Sequence, residues 1–383
     1  MTRPSCSLLL GSLLLAAWGC HPAPERRDLD SLAGLEVVTP RDRLYDVAFA
    51  HEHAWVVGFP GLILHSPDGG ETWESQAGGG GEALFDVELL DDRTGWIAGR
   101  NGLVLHTSDG GETWRRQETP TTRSLYAIDF QDGQEGWAVG EFATVLHTMD
   151  GGQRWVLVPV TLAAPAPPAA AEPEGDDEED GGEEEDGFGD APGGDDYGVT
   201  GGSADEELDL AGKGGDQVFD KHLNGVEAQG PGQVLAAGEA GVILRSDDGG
   251  RSWRSLDSGE WATLYGIGHV GAPGGPLVVA GSSGVLRRSL DAGSTWTRVE
   301  TGTEEHLFRA SASGGRLFVV GRRGLLLAGP LDGEAVAAVP VGVWGWISSI
   351  AFGPDGQGLL VGGQGLILRT TDHGASWRRP DGR

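Results

Sequence analysis

Gly95-Trp-Ile-Ala-Gly-Arg-Asn-Gly-Leu-Val-Leu-His-Thr-Ser-Asp-Gly-Gly-Glu-Thr-Trp114 is followed, 41 residues on, by Gly136-Trp-Ala-Val-Gly-Glu-Phe-Ala-Thr-Val-Leu-His-Thr-Met-Asp-Gly-Gly-Gln-Arg-Trp155. The two stretches are copies of one pattern. Its second half, a hydroxyl residue, Asp two places on, Gly two after that and Trp three further, begins at Ser66, Thr107, Thr148, Ser246, Ser289 and Thr370. The Asp and Trp of these copies are Asp68 and Trp73, Asp109 and Trp114, Asp150 and Trp155, Asp248 and Trp253, Asp291 and Trp296, and Asp372 and Trp377. The first two intervals are both 41; the third is 98 and holds 57 extra residues. The gap of 81 before Thr370 leaves room for one more unit. A degraded copy stands there: Asp332-Gly333 is in register, with Glu334 for Gly and Ala337 for Trp. That makes seven units.

Each unit repeats the same strand signals. A first run such as Leu44–Phe49 or Leu125–Phe130 precedes an apolar run ending in Gly, such as Gly95–Gly99. A third run, such as Leu103–His106, leads into the phrase, and a fourth follows its Trp. Short β-branched runs between glycine-rich turns are strands. Four of them repeated every ~40 residues describe propeller blades. The expected fold is all-β, a seven-bladed β-propeller of four-stranded antiparallel blades. Blades 1–3 occupy 35–159 and blades 4–7 occupy 219–383. Leu35–Thr39 is expected to pair with the last blade and latch the ring, since an open ring leaves bare strand edges.

Composition agrees. Sixty-seven glycines and twenty prolines exclude a helical bundle. A net charge of −31 excludes a general nucleic-acid binder, which needs a basic footprint. Residues 172–209 carry 18 acids and no base; without them the net charge falls to −13. These acids, with the Ala/Pro-rich Thr161–Ala171, form an insertion at 160–218 whose composition cannot bury a core and is expected to be disordered. Asp176–Gly181 starts like an EF-hand loop, but Gly187 stands where the ligating Glu belongs, so no calcium site is expected.

At the amino terminus, Arg3 precedes an apolar run, Leu8–Ala17, too short to span a bilayer and suited to a cleaved signal peptide at 1–19. Gly19-Cys20 resembles a bacterial lipoprotein processing site, which implies lipidation of Cys20 and a tether over 20–34; ordinary secretion is the alternative. Cys6 and Cys20 are the two cysteines, so neither a disulfide framework nor a cysteine zinc site is expected.

The repeated phrase resembles the Asp-box, or BNR repeat. Asp in a tight loop accepts backbone N–H groups and the glycines reach positive φ. Burying the Trp ring is worth at most ~4–6 kcal/mol and each hydrogen bond nearer ~1 kcal/mol. The phrase is therefore a packing device. One acid per blade, spread around a ring, cannot converge on a substrate, so Asp68, Asp109, Asp150, Asp248, Asp291, Asp332 and Asp372 are read as structural. His65, His106 and His147 precede the box in blades 1–3, and Arg245, Arg288 and Arg369 take their place later; this interchange suits a solvated strand position rather than metal ligands. No catalytic, cofactor or metal residues are assigned.

In an antiparallel four-stranded blade, the loops entering the first strand share a face with the second-to-third loops, opposite the Asp-boxes. That face collects Arg43, Arg100, Arg123, Arg322, Arg323, Trp261, Trp344 and Trp346, residue types favoured at interface hot spots. It is the candidate partner face. The acidic insertion is expected to share it, and either to compete with a partner there or to recruit something basic.

Gly136–Trp155 together with Gly95–Trp114 is similar to the photosystem II stability/assembly factor family. The resemblance covers about 35–155 and 219–379. It implies a seven-bladed, non-enzymatic, lumenal or lipid-anchored protein that helps reaction-centre protein assemble through an arginine-rich face. Arg43, Arg100, Arg322 and Arg323 are the counterparts it suggests. The expected function is thus an envelope-anchored, monomeric interaction or assembly factor. Its partner would be a membrane or envelope protein, a photosystem II reaction-centre protein in a photosynthetic host. It would use no cofactor and touch the membrane through its lipid alone. Two other classes stay open. A sialidase-like glycoside hydrolase would need three convergent arginines and a Tyr–Glu pair, and only Tyr45, Tyr126, Tyr197 and Tyr265 are available. A carbohydrate or cell-wall binder would stack sugars on Trp261, Trp344 and Trp346.

Overall fold

The structure, a computed structural model, describes residues 38–162, 220–271 and 274–380. The signal peptide, Cys20, the tether and nearly all of the acidic insertion lie outside the described residues.

Seven antiparallel sheets follow one another along the chain. Their inner strands are Arg43–Ala50, Leu84–Leu89, Leu125–Phe130, Leu223–Gly230, Leu264–His269, Leu307–Ser313 and Ile347–Phe352. Six blades have four strands; the seventh has three, and Arg378 bridges to Arg369 where its outer strand begins. The second strands are buried along nearly their whole length, and Gly95–Gly99, Gly136–Gly140 and Leu277–Gly281 at every position. A neighbouring blade covers each of their faces, so they read as unbroken apolar runs rather than alternating ones.

The core is divided among the seams between blades. Trp137 and Val139 of blade 3 share one cluster with Leu223, Val226 and Trp253 of blade 4. The bulkiest fully buried side chains are Trp55, Trp96, Trp137 and Trp253. Three of these come from the second strands. Of the box tryptophans, Trp114, Trp155 and Trp253 are buried, while Trp73, Trp296 and Trp377 are half-buried. Packing is therefore shared between two tryptophan columns. The Gln76 carboxamide joins them, accepting from Trp55 Nε1 at 3.1 Å and from Trp114 Nε1 at 3.0 Å.

The Asp-box closes on itself. Asp68 Oδ1 accepts the backbone N–H of Glu71 and Thr72 at 3.0 and 2.8 Å, and the Ser66 hydroxyl at 2.8 Å. Its Oδ2 accepts the Thr72 hydroxyl at 2.6 Å. The second glycine has no room for a side chain: a Cβ at Gly70, where φ is 88°, would lie 2.5 Å from Leu359 of blade 7. Asp332 departs from the expectation. Pro330 stands where the other boxes place their hydroxyl, and Asp332 makes none of the box bonds among the described residues.

The position before the box is not solvated, contrary to the sequence reading. His65, Arg288 and Arg369 are buried, and the arginines cross to the next blade's box loop. Arg245 Nη1 donates to Ala292 O at 2.7 Å, Arg288 Nη1 to Leu331 O at 2.6 Å, and Arg369 Nε to Gly69 O at 2.7 Å. The histidines instead lie over the second-strand tryptophans, His147 on Trp137 at 3.8 Å between centroids. The arginines reach across a seam and the histidines cover a tryptophan of their own blade, neither of which the one-per-blade pattern could reveal.

Arg369 and Gly69 join blade 7 to blade 1, as does Ser348 Oγ donating to Leu44 O at 2.8 Å. Val38 is buried in the same seam with Leu359, Val361 and Ile367. Of the proposed latch, Val38 and Thr39 are described and Leu35–Val37 are not.

Candidate functional site: the channel mouth

Every inner strand carries a bulge near its start. The pairing skips Tyr45, Phe85, Tyr126, Asn224, Tyr265, Phe308 and Ser348 in turn. A bulge leaves one residue unpaired and re-aims its side chain. Here seven bulges turn seven side chains towards the ring axis, where all of them, with Trp346, line one cavity of about 410 Å³. Five of the seven are aromatic and form a collar. Centroids lie 5.5 Å apart for Tyr45–Phe85 and for Phe85–Tyr126, and 5.6 Å for Tyr265–Phe308. Trp346 stacks on Tyr45 at 5.9 Å.

The cavity opens at the face where the inner strands begin. The Asp-boxes lie at the other face, tied to the first-to-second turns by bonds such as Gly69 N–H to Glu52 O at 2.7 Å and Gly110 N–H to Arg93 O at 2.9 Å.

Beneath the collar the channel continues as a second cavity of about 280 Å³, sharing Asp86 and Arg309 with the first. Its polar lining includes Asp46, Asp86, Glu88, Asp129, Glu227, His269 and Arg309, from six different blades. Arg309 donates to Asp46 Oδ1 at 2.9 Å and also to Asp86. Three aspartates additionally tie their blade to the next: Val87 N–H donates to Asp46 at 3.1 Å, Ile128 N–H to Asp86 at 2.8 Å and Ala228 N–H to Asp129 at 2.6 Å. Glu227 lies 3.9 Å from His269 Nε2. Glu88 has no hydrogen-bond or ion-pair partner among the described residues.

Burial pushes these carboxyls up. Asp129 is raised to about 6, chiefly by burial and against the pull of the Ala228 and Phe130 N–H groups. Burial raises Asp86 too, while Arg309 pulls it back. Glu88 is held well above the usual carboxylate range by burial and then by Asp129, Asp86, Glu227 and Asp46. Glu227 is raised by burial and by Asp129. No three described His, Cys, Asp or Glu side chains stand at metal-binding spacing. Among the described residues Arg309 is the one arginine lining either cavity, whereas the sialidase reading requires three.

The residues singled out in the sequence surround this mouth. Arg43 is two residues before Tyr45. Arg100, and Arg322 with Arg323, lie in single-turn loops that contact the next blade's inner strand. All five of the arginines are exposed. Arg323 pairs with Glu305 at 2.8 Å, and Arg123 donates to Phe142 O at 3.2 Å. No ion pair joins Arg43, Arg100 or Arg322 to a described acid. Trp261 and Trp344 are 79% and 83% exposed, which excludes packing between blades as their role. The channel acids and the collar were not read from the sequence. The collar is legible as a column: the second residue of the first strand is Tyr or Phe in five of seven units.

The family model described as Photosynthesis system II assembly factor YCF48 matches residues 80–179. A curated relative, "Photosystem II stability/assembly factor HCF136, chloroplastic" of Cyanidioschyzon merolae, is 36% identical over 77 residues. That match spans 18% of this chain and 18% of the relative's length. Among solved structures, "YCF48 bound to D1 peptide" has a TM-score of 0.60 at 18% identity, covering 87% of this chain and 94% of that one. YCF48 from Cyanidioschyzon merolae has 0.58 at 17%, covering 86% and 95%. A GH74 xyloglucanase from Xanthomonas campestris has 0.62 at 14%, covering 90% of this chain and 55% of that enzyme.

Proposed function

We propose that this chain, a photosystem II assembly factor-like BNR propeller, is a non-catalytic interaction or assembly factor that holds a segment of another polypeptide across its channel mouth. One observation carries this: seven bulges aim seven side chains into one mouth, on the face that also bears five exposed arginines and two exposed tryptophans. Exposed arginine and aromatic residues around a desolvated pocket are the anatomy of an interface hot spot. The solved YCF48 bound to D1 peptide supports a polypeptide occupant, a reaction-centre protein where the host has one. Export and lipidation at Cys20 belong to the same proposal, supported by Leu8–Ala17 and Gly19-Cys20. The test is charge reversal at Arg43, Arg100 and Arg322 together, followed by crosslinking to solubilised envelope proteins. The reading expects the wild-type partner to be lost by roughly tenfold or more while thermal stability is unchanged, because exposed charges steer and select partners. Retention of the partner by the triple variant contradicts it.

A second reading has one observation in its favour. Asp129, raised to about 6, is a carboxyl of the kind that donates protons in glycoside hydrolysis, and the xyloglucanase shares the fold. Turnover of xyloglucan or a chromogenic glycoside, lost in Asp129→Asn, would establish it.

A further inference from the structure

The mouth is aromatic at its centre and acidic beneath, although its rim is basic. A site for an acidic segment alone needs the rim and has no use for either of the other two features.

Within the shaft the acids divide into two groups. Asp46, Asp86 and Asp129 each accept a backbone N–H from the next blade, and Arg309 sits between the first two. They hold the ring together. Glu88 and Glu227 are held less: Glu88 has no partner among the described residues, and Glu227 meets only His269 of the next blade, whose Nε2 lies at 3.9 Å and whose N–H pulls its carboxyl back down. Among the described residues Arg309 is the single guanidinium lining the channel, against five carboxyls. Burial and mutual repulsion keep Glu88 well above the usual carboxylate range. Such a cavity holds protons where a counter-cation is missing. The aromatic rings above it present their negative faces to a cation and their bodies to an aliphatic chain. No three described donors stand at metal-binding spacing, so the positive charge is better brought on a side chain than as a bare ion.

We propose that the channel mouth receives a basic side chain, lysine or arginine, of the bound polypeptide: the collar of Tyr45, Phe85, Tyr126 and Tyr265 takes its stem, and Glu88 and Glu227 face its charge. This rests on the reading that the face binds a polypeptide. Glu88 lies three residues, about 10 Å of strand, below Phe85 of the collar, so a basic residue seated within the collar directs its charge down towards Glu88 past Asp86 and Arg309. The partner motif is then a basic residue flanked by acids, the flanks meeting the unpaired Arg43, Arg100 and Arg322.

Calorimetry tests it on the full chain at about pH 8, where the shaft carboxyls are most ionised. The probes are the capped peptide Glu-Glu-Gly-Ser-Lys-Ser-Gly-Glu-Glu and the same peptide with norleucine for lysine. The lysine peptide should bind roughly tenfold more tightly. Titration in two buffers of different ionisation enthalpy should show net proton release with the lysine peptide alone. In the combined Glu88→Gln and Glu227→Gln variant, which leaves collar, rim and inter-blade bonds intact, the two peptides should bind alike. Equal binding to the wild type, or a preference that survives in the variant, overturns the inference while leaving the polypeptide face standing. Binding of neither peptide contradicts both.

Discussion

The protein carries two sets of carboxylates, and they are opposites. In the intact Asp-boxes, on one face, the acid sits in a loop built to receive its charge. Asp109 is lowered to about 2, first by the Thr113 hydroxyl and then by the Thr113 N–H and the Thr107 hydroxyl. Asp248, Asp291 and Asp372 are likewise lowered to about 2, first by the hydroxyls of Ser252, Thr295 and Ser376. In the channel, Asp86, Glu88, Asp129 and Glu227 are raised, because burial outweighs the donors they have. An acid whose bonds are complete stabilises a fold; a buried acid left short of positive charge is a cost that a ligand can relieve. The box set therefore belongs to the scaffold; in the channel Asp86 and Asp129 still bind the next blade, and Glu88 and Glu227 mark the site.

Replacing a box acid should have the largest effect on stability. Asp68→Ala removes two backbone and two hydroxyl hydrogen bonds and should cost about 2–3 kcal/mol in denaturant unfolding. Asp332→Ala, in the box that lacks its hydroxyl partner, should cost less than about 0.5 kcal/mol. Equal losses at the two positions would break the distinction between intact and degraded boxes.

Next comes the staple at the closing seam. Arg369→Met keeps much of the buried stem but removes the bond to Gly69 O, and should cost about 1.5–3 kcal/mol. If the seam is held chiefly by its apolar cluster, the loss will fall below that range.

Glu88→Gln should act in the opposite direction. A carboxyl raised in the fold binds its proton more tightly there than in the unfolded chain, so stability falls as pH rises from the ordinary carboxylate range through the raised value. The variant should thus melt roughly 2 °C higher than the wild type near pH 8 and show no difference near pH 4. The lowered box acids run the other way: their contribution is complete above the unfolded value and is lost as pH falls towards about 2. A Glu88→Gln melting point below the wild type at about pH 8 would count against an uncompensated charge in the shaft.

The ring was legible in the sequence because each blade repeats its punctuation. Asp, Gly and Trp recur at fixed spacing, and the inner strands fall within two residues of the expected runs. Contacts that cross a seam were not legible. Arg369 reaches Gly69, 300 residues away, and its column looked solvated when read one blade at a time. The channel was hidden for a related reason. Glu88, Asp129 and Glu227 occupy the same strand position in three blades, yet the other four hold Ala, Gly, Ser and Ala, so no motif marks them. Circular closure brings them together, and no linear pattern records it. Trp261, Trp344 and the rim arginines were legible as chemistry placed on one face, but the collar they surround needed the bulge geometry.

Carbon-13 NMR titration of Asp and Glu side-chain carboxyls, assigned through Asp129→Asn, Glu88→Gln and Asp248→Asn, tests the central division most directly. The account predicts Asp248 titrating near 2 and Asp129 near 6, with Glu88 well above the ordinary range. All three titrating together near 4, as free carboxylates do, would contradict it.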